Sequence, residues 1–273
     1  MSTQCVCFIG VQVEIASDSV ASDPAGRVAG FIHEAKRVVV LTGAGMSAES
    51  GVPTFRDALS GYWAKYDPQE LATPEAFRRQ PATVFGWYVD RTRAVMAARP
   101  HPGYHALVEI ESAIGALPVV TQNVDGLHRR AGSSDVTELH GSLTAFRCVG
   151  LGHGFPLESI LALGSPKSGK LEPPACEICG QLIRPGAVWF GEVLPADALE
   201  RAHELAETAD VVLVVGTSSV IYPAAGLPER ARARGATVVE INPERTPFTE
   251  YAALSWRTTA GNSLPAVADR LMI

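Results

Sequence analysis

The chain has few cysteines, fewer lysines and no long apolar run. Its 273 residues include 5 cysteines, Cys5, Cys7, Cys148, Cys176 and Cys179. So few cysteines in a chain long enough to bury a core argue against a disulfide scaffold. The net charge is −6, so no basic footprint for nucleic acid is present; of the 23 Lys+Arg only Lys36, Lys65, Lys167 and Lys170 are lysines, a compositional bias. No apolar run approaches the ~20 residues that span a bilayer. Residues 6–13 are apolar but lack the basic flank of a signal peptide and the arginines of a transit peptide. The expectation is a cytoplasmic protein with neither a nucleic-acid nor a membrane partner. With 47% hydrophobic, 19% charged and 7% aromatic residues, the composition suits one large or two small packed domains.

Four short β-branched runs stand out, at residues 37–41 (RVVVL), 117–121 (LPVVT), 211–215 (VVLVV) and 237–241 (TVVEI). Such runs suit parallel strands buried on both faces. Helical candidates precede each of them, at 27–35, 103–114, 196–208 and 228–234. The alternation predicts an α/β fold with a doubly wound, Rossmann-like parallel sheet. Two regions break the rhythm. Residues 54–99 read as helices carrying Tyr62, Trp63, Tyr66, Trp87 and Tyr88, and residues 148–185 are rich in Gly and Pro and hold three cysteines. Both look like insertions projecting from the sheet, one helical and one ribbon-like.

Ligands of open α/β sheets bind beyond the carboxyl ends of the strands. After the first run comes Thr42-Gly43-Ala44-Gly45-Met46-Ser47-Ala48, where two glycines permit close backbone approach to a pyrophosphate and Ala48 takes the third small-residue position. The chain then continues Val52-Pro53-Thr54-Phe55-Arg56, with no second strand ending in the acid that a dehydrogenase uses for its ribose. That departure counts against hydride transfer. Beyond the other runs lie Gln122-Asn123-Val124-Asp125-Gly126-Leu127-His128, Gly216-Thr217-Ser218-Ser219 and Asn242-Pro243-Glu244. Four polar loops on one sheet edge predict a nucleotide crevice. His140, in Glu138-Leu139-His140-Gly141-Ser142, is a candidate general base because imidazole titrates near neutrality.

Cys176-Glu177-Ile178-Cys179 is half of a zinc knuckle, whose spacing turns both thiolates toward one metal. Cys148 would belong to the other half, but Leu151 stands where its partner should be. Three outcomes stay open: His153 completes the site, the metal has three protein ligands, or the metal is lost.

In this order and spacing, 43–56 (GAGMSAESGVPTFR), 121–128 (TQNVDGLH), Leu139-His140-Gly141, Val188-Trp189-Phe190-Gly191-Glu192, Gly216-Thr217-Ser218 and Ile241-Asn242 resemble the sirtuin signature over about residues 27–270. The resemblance implies an NAD-dependent protein-lysine deacylase, which consumes NAD as co-substrate, and a catalytic domain at 27–273 after a disordered tail at 1–26. It divides the domain into a Rossmann part (about 27–57, 103–142 and 186–273), a helical insertion (about 58–102) and a zinc-ribbon-like insertion (about 143–185). It also implies that Gly43, Ala44, Gly45, Ser47, Ala48, Phe55, Arg56, Gln122, Asn123, Asp125, Gly216, Thr217, Ser218, Asn242, Pro243, Glu244 and Ala260 bind NAD. His140 and Asn123 would be catalytic, and Val188 to Glu192 would pair with an acylated-lysine peptide as an added strand. Cys148, Cys176 and Cys179 would hold a structural zinc. In the implied mechanism the acyl oxygen attacks the ribose C1′ as nicotinamide leaves, and His140 deprotonates a ribose hydroxyl that then attacks the acyl-derived carbon. Free lysine, nicotinamide and O-acyl-ADP-ribose result.

Tyr88 and Arg91 stand three apart, on one face of a helix. The pair resembles that of the class III branch, whose Tyr and Arg meet the distal carboxylate of succinyl- or malonyl-lysine. Ala72 matches a small residue that keeps the acyl pocket roomy. A guanidinium fork and a phenol suit a carboxylate, so desuccinylation and demalonylation are expected ahead of deacetylation, which is not excluded. Mono-ADP-ribosyl transfer and a non-catalytic module binding NAD or acyl-peptide are the competing readings. Protein substrates and oligomeric state are not legible in the sequence.

Overall fold

In the computed structural model of the chain, residues 23–52, 67–166 and 168–272 are described. The chain opens with α1 (Pro24–Glu34), which starts because the Asp23 side chain accepts the Gly26 N–H and Pro24 occupies the first turn. The cap places the helix start three residues before the one expected from the apolar pattern. There follow β1 (Val38–Thr42), α2 (Gly45–Ala48), α3 (Pro68–Leu71), α4 (Pro74–Arg79), α5 (Pro81–Ala97), α6 (Pro102–Ile114), β2 (Val119–Thr121), α7 (Leu127–Ala131) and β3 (Val136–Glu138). The second insertion holds β4 (Phe146–Cys148), β5 (Gly154–Phe155), α8 (Leu157–Ala162) and β6 (Ile183–Pro185). The chain closes with α9 (Ala196–Thr208), β7 (Val211–Val215), α10 (Leu227–Ala233), β8 (Thr237–Ile241), β9 (Leu254–Trp256) and α11 (Ala260–Leu271).

Six parallel strands form a sheet in the order β3-β2-β1-β7-β8-β9. The doubly wound, Rossmann-like expectation holds, with β3 and β9 added to the four predicted strands. Alternate residues of the central strands face opposite layers, as pleating requires. Val38, Val40, Leu213 and Val215 pack under α1, α6 and α11, whereas Val39, Leu41, Val212 and Val214 pack under α9 and α10. A third core joins the two insertions. Leu71, Phe77, Phe85, Trp87 and Tyr88 pack with Phe146, Cys148, Ile183 and Trp189. The second insertion carries a three-stranded antiparallel sheet, β5-β4-β6. Among the described residues no helix is long and apolar enough to cross a membrane.

β1 and β7 are neighbours from which the chain winds outward in opposite directions, and a crevice opens at such a switch point. The loops after them touch there. Gly43 N–H donates to Val215 O (3.2 Å) and Gly45 N–H to Gly216 O (2.8 Å). Gly216 has φ +60°, and a Cβ on it would lie 2.3 Å from the Met46 nitrogen, so only glycine fits.

Candidate active site

Beyond the carboxyl ends of the strands lies a cavity of about 830 Å³, of the size that holds a large ligand. Its walls include Gly43, Ala44, Gly45, Ser47, Gln122, Asn123, Asp125 and His140 from the first half of the sheet. Gly216, Thr217, Ser218, Asn242, Pro243 and Glu244 close it from the second half. Ala72, Tyr88 and Arg91 of the helical insertion and Val188 to Glu192 complete it. Two expected residues are not on its walls. Ala48 ends α2 and is exposed, and Ala260 is buried at the start of α11 with its carbonyl against Gly103. Phe55 and Arg56 lie outside the described residues.

A buried hydrogen-bond network fixes the polar floor. Asn123 Nδ2 donates to Gly43 O and to Ser47 Oγ, both at 2.9 Å. Ser47 donates its own hydrogen to Asp125 Oδ2 at 2.6 Å, so the Tyr104 hydroxyl, 3.0 Å away, donates to Ser47. Asp125 also accepts the Leu127 N–H. Burial pushes the Asp125 carboxyl up, against the pull of the Ser47 and Leu127 bonds. A second chain runs beneath. Thr42 donates to Thr121 (2.8 Å), which accepts the Asn123 N–H (3.0 Å). The Thr42 oxygen therefore accepts from the Nε2–H of His128, 2.9 Å away. Burial holds His128 down at about 3, so it stays neutral. Sequence reasoning names Thr42 and His128 only as members of the strand-end loops and passes over Tyr104, which lies within the apolar pattern of α6.

His140 lies just past β3, its Nδ1 2.9 Å from the Gln122 carbonyl. That carbonyl accepts Nδ1–H, which leaves the Nε2 lone pair free to take a proton. Burial lowers the imidazole pKa below its ordinary value, with the Gln122 bond opposing. The His140 carbonyl accepts the Val188 N–H at 2.8 Å, and Phe190 N–H donates to Ala72 O at 2.8 Å. Residues 188–192 turn at their far end. Gly191 takes φ +86°, the Glu192 N–H returns to Trp189 O, and the Trp189 N–H is taken by Glu192 Oε2. The segment turns back after Trp189.

Sequence reasoning also passed over Arg184, which braces this turn. It is 6% exposed, ion-paired with Glu192, and its guanidinium carbon lies 3.4 Å from the Trp189 ring centroid. On α5, Tyr88 is 4% exposed, and burial raises its phenol pKa well above the ordinary range. The Arg91 guanidinium lies 5.2 Å from the centroid of Trp87. Burial lowers the Arg91 pKa, with Tyr88 opposing.

At the tip of the second insertion the ligand atoms of Cys148, His153, Cys176 and Cys179 all lie within 4.8 Å of one another. Of the three outcomes left open by the sequence, this geometry favours His153 as the fourth ligand. Cys148 Sγ and Cys179 Sγ are 3.6 Å apart, and His153 Nδ1 is 3.6 Å from Cys148 Sγ and 3.5 Å from Cys176 Sγ. Tetrahedral zinc with ordinary bond lengths spaces sulfurs about 3.8 Å apart and sulfur from nitrogen about 3.6 Å. The residues fit zinc. Leu151, at the position where a ligand was expected, instead directs its backbone N–H at Cys148.

The Sir2 family model matches residues 43–223. A curated NAD-dependent protein deacylase of Aquifex aeolicus is 48% identical over 239 residues, covering 86% of this chain and 95% of the relative. NAD-dependent protein deacylase 2 of Pyrobaculum aerophilum is 49% identical over 244 residues, covering 89% and 94%. Among solved structures, a Sir2 homologue–NAD complex superimposes with TM-score 0.84 at 43% identity, covering 94% of this chain and 96% of that one. With the parallel sheet, the polar cavity and the cysteine-bearing insertion in place, the chain belongs to the Sir2 family, the sirtuins.

Proposed function

We propose that this sirtuin is an NAD-dependent lysine deacylase that prefers acyl chains ending in a carboxylate, succinyl and malonyl, over acetyl. The observation that carries the preference is that Tyr88 and Arg91, three residues apart on α5, line the same cavity as His140. NAD supplies the electrophilic ribose carbon and carries the acyl group away. The loops at Gly43 to Gly45, Gly216 to Ser218 and Asn242 to Glu244 hold the dinucleotide. Asn123 and Asp125, tied together through Ser47, wall the cavity where the nicotinamide ribose would lie. His140 accepts the ribose hydroxyl proton at Nε2. Arg91 and Tyr88 donate to the distal carboxylate, charge-assisted bonds that an acetyl group cannot form. Cys148, His153, Cys176 and Cys179 would hold a zinc that cross-links the second insertion, a structural role.

The deacetylated p53 peptide and NAD⁺ bound in related Sir2 complexes support acyl-lysine peptides as partners. The test offers NAD with acetyl and succinyl versions of one peptide and follows products by mass spectrometry. Conversion of the succinyl peptide with an O-succinyl-ADP-ribose product, and loss of its advantage in Arg91→Met, is the expected result. Activity on acetyl alone would discard the carboxylate preference. Nicotinamide release with both peptides intact would replace deacylation by ADP-ribosyl transfer or NAD hydrolysis.

A further inference from the structure

We propose that the indole N–H of Trp189 is a third donor to the acyl chain of the substrate, acting with Arg91 and Tyr88 to select a terminal carboxylate. This rests on the acyl reading above and extends it to a residue on a different segment. Trp189 is 3% exposed and lines the cavity. Its Nε1 is buried, and among the described residues it has no hydrogen-bond partner. Buried N–H groups are rarely left without an acceptor, and those that are call for a reason such as a ligand.

The ring cannot turn away to satisfy itself. Phe77 packs 5.2 Å and Tyr88 6.2 Å from it, centroid to centroid, while the Arg184 guanidinium covers it. The backbone N–H of Trp189 is pinned to Glu192, whose carboxylate also holds Arg184. Arg184 places positive charge over the π face, which draws electron density from the indole and strengthens its N–H as a donor. The Tyr88 hydroxyl is the polar group it adjoins, yet no hydrogen bond joins the two. A phenol O–H, a guanidinium and an indole N–H therefore meet at one end of the cavity. A carboxylate, with four lone-pair positions, can accept from all three. An acyl chain ending in methyl can accept from none.

The experiment compares kcat/KM for succinyl-lysine and butyryl-lysine peptides, whose chains have matching lengths but end in carboxylate and methyl. Trp189→Phe keeps an aromatic ring beneath Arg184 and deletes the N–H, and Arg91→Met is measured beside it. The succinyl-to-butyryl preference should fall about tenfold in Trp189→Phe, the effect of one hydrogen bond to a charged group. An unchanged preference, whether both substrates suffer equally or neither does, overturns the role of Trp189. An unchanged preference in Arg91→Met instead overturns the acyl reading itself. A second readout needs no altered protein. The Trp189 indole ¹H–¹⁵N resonance should shift downfield on binding succinyl peptide and not butyryl peptide, and equal shifts would refute the proposal.

Discussion

Glu240 and Arg257 form an ion pair whose acid is sealed inside the sheet and whose base reaches over the sheet edge. The Glu240 side chain is 1% exposed. Burial alone would raise its carboxyl pKa, but hydrogen bonds from Ser255, Thr246, Thr249 and Arg257 outweigh it and hold the group below the ordinary glutamate value. A second nitrogen of Arg257 donates to the Asn242 carbonyl at 3.0 Å and also to that of Glu244. The pair thereby ties down the loop that walls the nucleotide side of the cavity.

Arg257→Leu should cost about 3 kcal/mol, because it strands a buried carboxylate, and should weaken ADP-ribose binding through the loosened loop. Urea denaturation and calorimetric titration check the two effects. A variant as stable as the parent would show that the three hydroxyl donors suffice. Because the folded pKa is depressed, the stabilising contribution is present above the ordinary glutamate pKa and is lost as pH falls through the lowered value. Glu240→Gln should flatten that acid loss.

His140→Ala should abolish deacylation while leaving ADP-ribose binding in place. In the parent protein kcat/KM should rise with pH through a pKa below 6.5, since burial disfavours the imidazolium, and level off by neutrality. A pH profile from 5 to 9 decides this. An acid limb centred above pH 7 would remove His140 from the role of base.

His128 makes a separate pH claim, on stability. Its folded pKa of about 3 lies far below the ordinary histidine value, so on acidification the unfolded chain takes up a proton that the native state refuses. Stability is lost from pH 6.5 downward at about 1.4 kcal/mol per pH unit. Between pH 7.5 and pH 5.0 the stability difference between parent and His128→Gln should shift by about 2 kcal/mol in favour of the variant. Parallel pH profiles would show that His128 titrates normally in the fold.

The purified protein should carry one zinc per chain. Cys176→Ser and His153→Ala should lose it, and His153→Cys should keep it, as elemental analysis would show. Chelation should expose β4 and β6 to hydrogen exchange while β7 and β8 stay protected. Full metal content in His153→Ala would strike His153 from the ligand set.

Much of this was written plainly in the chain. β7 and β8 are legible to the residue because VVLVV and TVVEI are dominated by β-branched residues. β3 and β9 were not, because VTE and LSW are three residues long and carry no apolar run. The polar strand ends announced the crevice, since residues at consecutive strand termini converge whatever lies between them. His153 was legible only as a candidate, because a metal site closed by a β-turn depends on where the turn brings the side chain. Arg184 and Arg257 gave no signal at all, and Glu240 showed only as a charge inside a run read as buried, with no hint of its partner. A buried ion pair is indistinguishable in sequence from two surface charges, and only the fold shows which charges it encloses.

The insertions share a core of their own, separate from the two that clad the sheet. Cys148 and Cys176 belong to the same buried cluster as Tyr88 and Trp189. The molecule is thus partitioned by packing as well as by topology. Replacements on the metal side of that cluster reach α5, with Tyr88, before they reach the strands of the parallel sheet.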